Sequence, residues 1–430
     1  MLYGTLLLTR VINIASGLLC LIIVAGAYDS LAAGRIYTLI SLAGAATLFE
    51  LGLSMLVLQR ASQVTRERSW NPLDPAQSHE LITPFMGHYL VLICGQALLL
   101  LAVLLPVGLW VVVGVFKEPF VSQGVFAWLC ACFVMALGLP TALLLSTLEG
   151  LGQLVVVAKV RASQALASML ALNLPLFWGV GYPAVAIQLA CALAVGWLAL
   201  WAFNGPFVKL ILQHVSLQFV SARAKLDWPF QWRLSLSFLS GYFTNQAWVV
   251  AISLTGAVAL AGHVAMTLQV LTAMVGFAMT PLAARLATLS AIARPDSSED
   301  YYKLSLVLIR QTGLIFLIML ATLGAGYGLV DFWIPEVKTR LLPTGPLIVI
   351  LVSAPFVLCL AALTLLNQSL GRDDLYVVSV FRIVAPLLAL AILGDDLAAL
   401  SFSLSFAAIV LMSVLAGLKI HSRSLVRRLS

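Results

Sequence analysis

The stretch that decides the fold is an uncharged apolar run, Tyr89 to Val115, which reads YLVLICGQALLLLAVLLPVGLWVVVGV. A helix of about 20 apolar residues spans the roughly 30 Å hydrocarbon core of a bilayer, and this run is longer than that. Similar runs lie before and after it, and the 430-residue chain is 62% hydrophobic but only 10% charged. Because soluble domains carry about 25% charged residues, most of this surface cannot face water. The sequence predicts a polytopic, all-α membrane protein.

The basic residues fix how often the chain crosses the bilayer. When the apolar runs are counted as alternating spans, twelve crossings place 20 of the 24 Lys and Arg residues on one side. The other side holds only Arg35, Lys117, Lys338 and Arg340. If one span were added or removed, every later loop would change sides, and the basic residues would no longer fall mainly on one side. Since positive residues favour the cytoplasmic side, both termini are predicted to lie in the cytoplasm and the chain in the cytoplasmic (inner) membrane.

The twelve predicted spans divide into two groups of six. A basic and amphipathic segment over 205–227 separates an N-terminal six-helix lobe, 1–204, from a C-terminal six-helix lobe, 228–430. Within this segment Asp227-Trp228-Pro229 predicts the start of a helix, with Asp as the cap and Pro in the first turn. The predicted spans are 4–27, 36–58, 84–115, 122–147, 154–178, 184–204, 234–255, 258–283, 304–329, 345–366, 376–394 and 397–419.

A short internal similarity agrees with this division. Ala33-Gly34-Arg35-Ile36-Tyr37-Thr38-Leu39 leads from the outer turn into the second span, and Ala261-Gly262-His263-Val264-Ala265-Met266-Thr267 lies near the matching point of the second half. Two six-helix halves are the layout of several transporter classes, in which the substrate binds between the halves.

Composition and motifs exclude several function classes. The net charge of +7 is explained by cytoplasmic turns beside anionic headgroups, so no nucleic-acid partner is expected. All six cysteines lie inside apolar runs, without the spacing of a zinc site or a disulfide framework. The chain has no Walker sequence, no cluster at metal-ligand spacing and no Ser/His/Asp set in an outer loop. We therefore expect no metal, no cofactor and no enzymatic activity.

The second span carries a more specific signal. Gly34-Arg35-Ile36-Tyr37-Thr38-Leu39 is followed by Leu48-Phe49-Glu50-Leu51-Gly52-Leu53 and by Leu58-Gln59-Arg60, and Leu148-Glu149-Gly150-Leu151-Gly152-Gln153 follows the fourth span. These motifs resemble the polysaccharide-biosynthesis (O-antigen) flippases of the multidrug/oligosaccharidyl-lipid/polysaccharide exporter superfamily. Glu50 stands where Asp is commoner in that family, and fourteen-span lipid II flippases are a poorer match.

The resemblance implies a fold like that of multidrug-and-toxin extrusion (MATE) exporters, working by alternating access around a central cavity. It implies a flippase that moves undecaprenyl-pyrophosphate-linked oligosaccharide for surface polysaccharide synthesis, whether O-antigen, capsule or exopolysaccharide. The implied partners are the lipid-linked oligosaccharide, membrane lipids, a polysaccharide polymerase and a chain-length regulator. The sugar and the coupling ion are not specified.

Charges at hydrocarbon depth are the candidate functional residues, because each is costly unless it faces a cavity or a partner. Glu50 is the only acid well inside a predicted span, and it is the candidate for ion coupling. Arg10 lies at a similar depth in the adjacent span. Three readings stay open: the two residues pair, they serve separate cavity roles, or Arg10 extends to the headgroups while Glu50 is protonated.

The second half carries deep arginines without a matching acid. Arg310 and Arg382 lie inside the ninth and eleventh spans, and Arg60 and Arg285 lie at the inner ends of spans. An excess of guanidinium suits a pyrophosphate, whose oxygens it binds bidentately. The alternatives are extension to the lipid surface and ordinary topology signals. Uncharged polar groups in spans either join helices or contact sugar, and Asn245, Gln246 and Gln269 are the sugar-contact candidates.

Two other functions compete with the flippase. A multidrug or cation antiporter of the same fold would need acids in its cavity, and this chain offers one. A membrane-embedded glycan polymerase would need a large outer loop with polar catalytic groups, and the longest predicted outer loop, 331–345, is small.

Overall fold

The computed structural model describes residues 2–67, 75–214, 220–286, 289, 292, 298–333, 339–369, 375–393 and 398–429. Within these ranges every regular element is a helix, as predicted. A π-helical turn, Val111–Val115, extends α5. The helices are α1 Leu2–Ala27, α2 Ser30–Gly44, α3 Ala46–Phe49, α4 Leu53–Glu67, α5 Pro75–Trp110, α6 Gln123–Gly150, α7 Leu154–Phe177, α8 Pro183–His214, α9 Ser221–Asn245, α10 Ala247–Leu254, α11 Val258–Ala278, α12 Thr280–Ala284, α13 Ser298–Trp333, α14 Thr344–Ser369, α15 Tyr376–Leu393 and α16 Ala399–Leu429.

The predicted spans map onto these helices. Ten helical segments of the described chain are long and apolar enough to cross a membrane. Helix α15, which covers the predicted eleventh span, is a shorter apolar helix, and α9 with α10 covers the predicted seventh span. The all-α membrane architecture is therefore confirmed.

The second predicted span is not one continuous helix. The chain leaves helical geometry between the end of α3 at Phe49 and the start of α4 at Leu53. Leu51 (φ 48°) and Gly52 (φ 67°) both adopt the left-handed region, which glycine tolerates and a leucine rarely adopts. The Leu51 carbonyl at the break accepts a 2.8 Å hydrogen bond from the Ser235 hydroxyl, whose proton it shares with the Gln231 carbonyl, also at 2.8 Å. The break is thus a built feature of the fold.

The start of the seventh span also differs from the sequence prediction. Helix α9 begins at Ser221, and Asp227 and Pro229 lie inside it, so the prediction that Asp227 caps a new helix is wrong. The carboxylate of Asp227 instead accepts hydrogen bonds from two side chains of the first half, Arg60 and Tyr89. Further on, Gln246 lies between α9 and α10 with backbone angles still in the helical region, and its N–H donates to the Tyr242 carbonyl at 2.8 Å.

The chain forms two compact units. Unit 1 comprises Met1–Asn13 and Ala43–Ser235. Its central helix is α6, which packs against α4, α5, α7 and α8. The predicted amphipathic segment belongs to this unit. Its residues up to His214 continue α8 beyond a kink at Asn204, and 215–219 lie outside the described residues.

Unit 2 comprises Ile14–Leu42 and Leu236–Ser430. Its central helix is α11, which packs against α10, α12, α13 and α14. In the apolar part of α11 that is long enough to span a membrane, 61% is buried. Helices α14, α15 and α16 enclose a small apolar cluster, formed by Leu360, Leu363, Leu375, Val378 and Val414. Residues 14–42, from the first half of the sequence, therefore fold with the second half.

The two similar sequence strings, around Gly34 and Gly262, pack against each other inside unit 2. A Cβ added to Gly34 would lie 2.0 Å from the Val258 carbonyl oxygen, and one added to Gly262 would lie 3.1 Å from the Gly34 Cα. Beside this contact Thr38 donates to the Gly34 carbonyl at 2.7 Å, so the hydroxyl of Ser253, 2.5 Å away, donates to Thr38. Small residues that let two helix backbones approach are a common basis of helix association in membranes.

This close approach predicts a strong sensitivity to added volume. We expect Gly34→Ala to lower the free energy of unfolding by about 1–3 kcal/mol, because the new methyl group overpacks a backbone contact. The measurement is thermal unfolding of the purified protein in detergent. Gly276→Ala on α11 is the matched control, because nothing lies within 4 Å of its added Cβ. Equal melting temperatures for the two variants would contradict the proposed role of the contact.

Candidate functional site

A buried arginine without a carboxylate partner is the main polar feature of unit 2. Arg382, on α15, is only 9% exposed. Its Nε donates a 3.0 Å hydrogen bond to the Thr244 hydroxyl, which itself donates to the Ser240 carbonyl at 2.7 Å. Within the described part of the chain, no Asp or Glu oxygen lies within the 4.0 Å of an ion pair with Arg382. A buried cation is costly unless it is paired, so this guanidinium is suited to receive an anion.

Two amide residues follow the Arg382 contact directly along the seventh span. Thr244 lies in the last turn of α9, directly before Asn245 and Gln246. The Asn245 amide donates to the Gly241 carbonyl at 3.1 Å, and both amide residues are partly exposed. The structure thus brings Arg382 together with the Thr244-Asn245-Gln246 segment, two groups that the sequence analysis had singled out separately.

Gln269 has a different environment. On α11, its amide nitrogen donates to the Gly17 carbonyl of α1 at 3.2 Å, and a Cβ on Gly17 would lie 2.9 Å from that nitrogen. Its Oε1 is buried without a hydrogen-bond partner among the residues described. Gln269 therefore joins two helices of unit 2 through its amide nitrogen.

Unit 1 contains a cavity of about 420 Å³ beside the broken second span. Glu50 and Ser54 border it from the break and from α4, Thr141 from α6, and Arg161 and Gln164 from α7. The Ser54 backbone N–H, in the first turn of α4, donates to the Glu50 carboxylate, which therefore lies at the N-terminal end of that helix. An acid in this position is favoured by the unsatisfied N–H groups and the dipole of the helix.

The structure gives Glu50 a different arginine neighbour from the one considered in the sequence analysis. No ion pair joins Arg10 and Glu50 in the described chain, so the reading in which these two residues pair directly is not supported. Arg161 instead lies close enough to both to attract the Glu50 carboxylate and to repel the Arg10 guanidinium. Arg161 also forms a 2.7 Å ion pair with Glu149, which belongs to the motif after the fourth span. The side chain of Arg10 is exposed.

Arg60 is held in a network of its own. Its guanidinium contacts one carboxylate oxygen of Asp227 at 2.6 Å through Nη2 and at 2.8 Å through Nε. The Tyr89 hydroxyl donates to the other carboxylate oxygen at 2.6 Å. The Asp227 side chain is 4% exposed and that of Arg60 30%. The backbone N–H of Val220 donates to the His88 ring at 3.1 Å. These contacts fasten the start of α9 to α4 and α5.

The remaining candidates are on the surface of their units. Arg285, which follows α12, and Arg310, on α13, both have exposed side chains. The sequence placed Arg310 and Arg382 at similar depths, whereas the structure buries only Arg382. The depth of a residue along a span does not specify which way its side chain points. Only the packing of the helices distinguishes the buried Arg382 from the exposed Arg310.

Sequence reasoning missed several residues that the structure makes central: Arg161, Thr141, Gln164, Tyr89 and Asp227. Arg161 was counted only as a topology charge, and Asp227 only as a cap. A partial signal existed for Arg161, because Glu149 lies across the short turn between α6 and α7. Thr141 and Gln164 carried no signal, because hydroxyls and amides are common in membrane helices.

No protein-family profile matches the sequence, and no curated protein matches it. Solved structures do match. A MOP superfamily transporter from Pyrococcus furiosus Vc1 is similar at 15% identity, with a TM-score of 0.63 over 99% of this chain and 94% of its own. An outward-facing multidrug resistance MATE family transporter is similar at 14% identity, with a TM-score of 0.63 over 99% of this chain and 95% of its own. An inward-facing multidrug resistance MATE family transporter is similar at 12% identity, with a TM-score of 0.60 over 100% of this chain and 96% of its own. This chain is therefore a multi-pass membrane protein with the MATE transporter fold.

The Arg60–Asp227 pair predicts a measurable coupling energy. We expect Asp227→Asn to lower the free energy of unfolding by about 2–3 kcal/mol, because it weakens a buried, charge-assisted network. A double-mutant cycle with Arg60→Ala measures the coupling directly. The control is the exposed pair Lys303–Glu299, whose removal we expect to cost less than about 0.5 kcal/mol. A coupling no larger than that of the control pair would contradict the role given to Asp227.

Proposed function

We propose that the chain is a flippase that moves undecaprenyl-pyrophosphate-linked oligosaccharide across the cytoplasmic membrane by alternating access. The product serves the synthesis of a surface polysaccharide. In this proposal the protein has two six-helix lobes, 1–204 and 228–430, and opens in turn to the two sides of the membrane. Both termini lie in the cytoplasm. The chain itself performs no covalent chemistry, and a polymerase and a chain-length regulator act on its product.

The buried Arg382 is the observation that carries this proposal. An anionic headgroup would supply the counter-ion that the described protein residues do not. A guanidinium presents a planar fork of N–H donors, which matches the oxygens of a phosphate and binds them bidentately. A cationic drug at the same place would be repelled. The chemistry of unit 2 therefore favours a pyrophosphate over an organic cation.

The neighbouring amides fit the rest of such a substrate. Asn245 and Gln246 supply both donors and acceptors next to the Arg382–Thr244 contact, and the buried acceptor oxygen of Gln269 has no partner among the described residues. Sugar hydroxyls are recognised by groups of this kind. We assign the exposed residues Arg10, Arg285 and Arg310 to attraction of the anionic headgroup, and Arg60 to positioning α9 through Asp227.

Two comparisons support the proposal. The chain matches outward-facing and inward-facing MATE transporters with similar TM-scores, which is consistent with alternating access. For the Pyrococcus furiosus transporter, a binding pocket of reversed polarity is described as suggesting a different function. An arginine-centred site in this chain agrees with the idea that the fold can be adapted to an anionic cargo.

A multidrug or cation antiporter is the second candidate. It is favoured by Glu50, whose carboxylate borders the unit 1 cavity, and by the multidrug resistance proteins among the structural neighbours. Arg161 borders the same cavity, and a guanidinium in the wall disfavours a bare cationic drug. In the flippase reading Glu50 serves ion coupling instead.

The flippase proposal predicts a specific loss for Arg382→Ala. In the host organism we expect surface polysaccharide to fall at least about tenfold, because charge-assisted hydrogen bonds to the headgroup are lost. Arg382→Lys keeps the charge but loses the fork, so we expect an intermediate level. The measurements are surface polymer and the amount of protein in the membrane.

Lys303→Ala is the matched control, because it removes a positive charge from an exposed position of unit 2. It should leave polymer levels unchanged. Normal polysaccharide in the Arg382→Ala strain, with the variant present in the membrane, would end the proposal.

Glu50→Gln distinguishes ion coupling from drug recognition. We expect the variant, reconstituted in liposomes, to lose any dependence of lipid-linked glycan flipping on a pH gradient, because a titrating carboxylate is replaced by an amide. Susceptibility of the host to cationic drugs should not change. Increased drug susceptibility with normal glycan flipping would instead support the antiporter.

A further inference from the structure

The cavity of unit 1 has polar groups that the protein leaves unused. Thr141, on α6, is 2% exposed, and its hydroxyl has no hydrogen-bond partner in the described chain. The Ser54 hydroxyl on α4 is likewise buried and unpartnered among those residues. Both residues line the cavity. A buried hydroxyl without a partner costs free energy, so two of them bordering one cavity indicate a polar ligand.

The charges of the cavity define the kind of ligand. Its lining contains one carboxylate, from Glu50, and one guanidinium, from Arg161, which also pairs with Glu149 outside the lining. A phosphate would meet the carboxylate, and a metal cation would meet the guanidinium. A neutral ligand rich in hydroxyl groups has both donors and acceptors, and it can use every polar group present.

The size and the apolar side of the cavity agree with this reading. A volume of about 420 Å³ falls within the range of small-molecule sites and is far larger than a single ion needs. The apolar lining includes Val134, Met135, Leu189 and Leu193, which offer a surface for the C–H face of a sugar ring. A wall that combines polar and apolar groups suits an amphipathic sugar ring better than a hydrated ion.

The packing of α8 fixes one of the polar groups in place. A Cβ on Gly196 would lie 2.1 Å from the amide nitrogen of Gln164, so the absence of a side chain at Gly196 makes room for that amide. Gln164 therefore occupies a defined position in the cavity wall.

We propose that the unit 1 cavity is a sugar-binding site, in which Thr141, Ser54, Gln164, Glu50 and Arg161 bind a neutral sugar residue of the transported glycan. This inference rests on the proposed function and adds to it a second site, separate from the headgroup site at Arg382. The cavity thereby selects for the glycan and not for the lipid carrier.

The test uses the full-length protein in nanodiscs and two probes. The first is the oligosaccharide released from the host's own lipid carrier, without pyrophosphate. The second is undecaprenyl pyrophosphate without sugar. We expect Thr141→Val and Gly196→Ala each to weaken oligosaccharide binding about tenfold and to leave binding of the lipid pyrophosphate unchanged. Arg382→Ala should do the opposite.

Matched variants control for structural damage. Thr141→Ser restores a hydroxyl and should recover binding of the oligosaccharide. Thr147→Val removes a buried hydroxyl from the same helix, one that bonds to the Leu143 carbonyl and does not line the cavity, and it should change neither affinity. Thermal unfolding of each variant confirms that it is folded.

Each outcome bears on one proposal or the other. If the oligosaccharide does not bind the wild type, or binds the folded Thr141→Val variant equally well, the sugar site is wrong while the headgroup site stands. If Thr141→Val weakens the lipid pyrophosphate as much as the oligosaccharide, the cavity is not a separate sugar site. If undecaprenyl pyrophosphate does not bind the wild type, the proposed function fails, and a sugar site that rests on it fails too.

Discussion

Lipid offers no hydrogen bonds to a peptide backbone, and this constraint governs where the chain can break a helix. A spanning helix can break only where other groups satisfy the freed N–H and C=O groups or where the break borders a cavity. At the break in the second span the Ser235 hydroxyl bonds to the Leu51 carbonyl, and the Glu50 carboxylate accepts from the Ser54 N–H. The polar cavity of unit 1 thus lies at a break in a helix, whereas the Arg382–Thr244 contact of unit 2 lies near the junction of α9 and α10, where the backbone stays helical.

The two polar regions differ in charge, and the difference gives each a distinct chemical role. Unit 2 buries a guanidinium whose described protein partner is a hydroxyl, so an anion would be stabilised there. The unit 1 cavity has one charge of each sign together with unpartnered hydroxyls, so a neutral hydroxylated group would be stabilised. A lipid-linked glycan contains both kinds of group, the pyrophosphate and the sugars.

The internal similarity of the sequence acquires a physical meaning in the structure. The strings around Gly34 and Gly262 are in direct contact inside unit 2, where each glycine allows the other backbone to approach. Their likeness therefore reflects a shared packing requirement as well as a position in the chain. Such contacts tolerate little added volume, because apolar side chains gain nothing from leaving lipid and helix association depends on close packing.

The sequence by itself determined the features that depend on composition and order along the chain. Apolar length predicted the helices, and the Glu50-Leu51-Gly52-Leu53 motif indicated the fold that solved structures share. It did not show that this motif breaks the helix, that Asp227 binds Arg60, or that Thr141 and Gln164 face a cavity with Glu50. Arg310 and Arg382 are alike in sequence, yet only Arg382 is buried. The physical reason is that hydropathy fixes the depth of a residue, whereas its direction around the helix axis, and hence its partners, depend on how the helices pack.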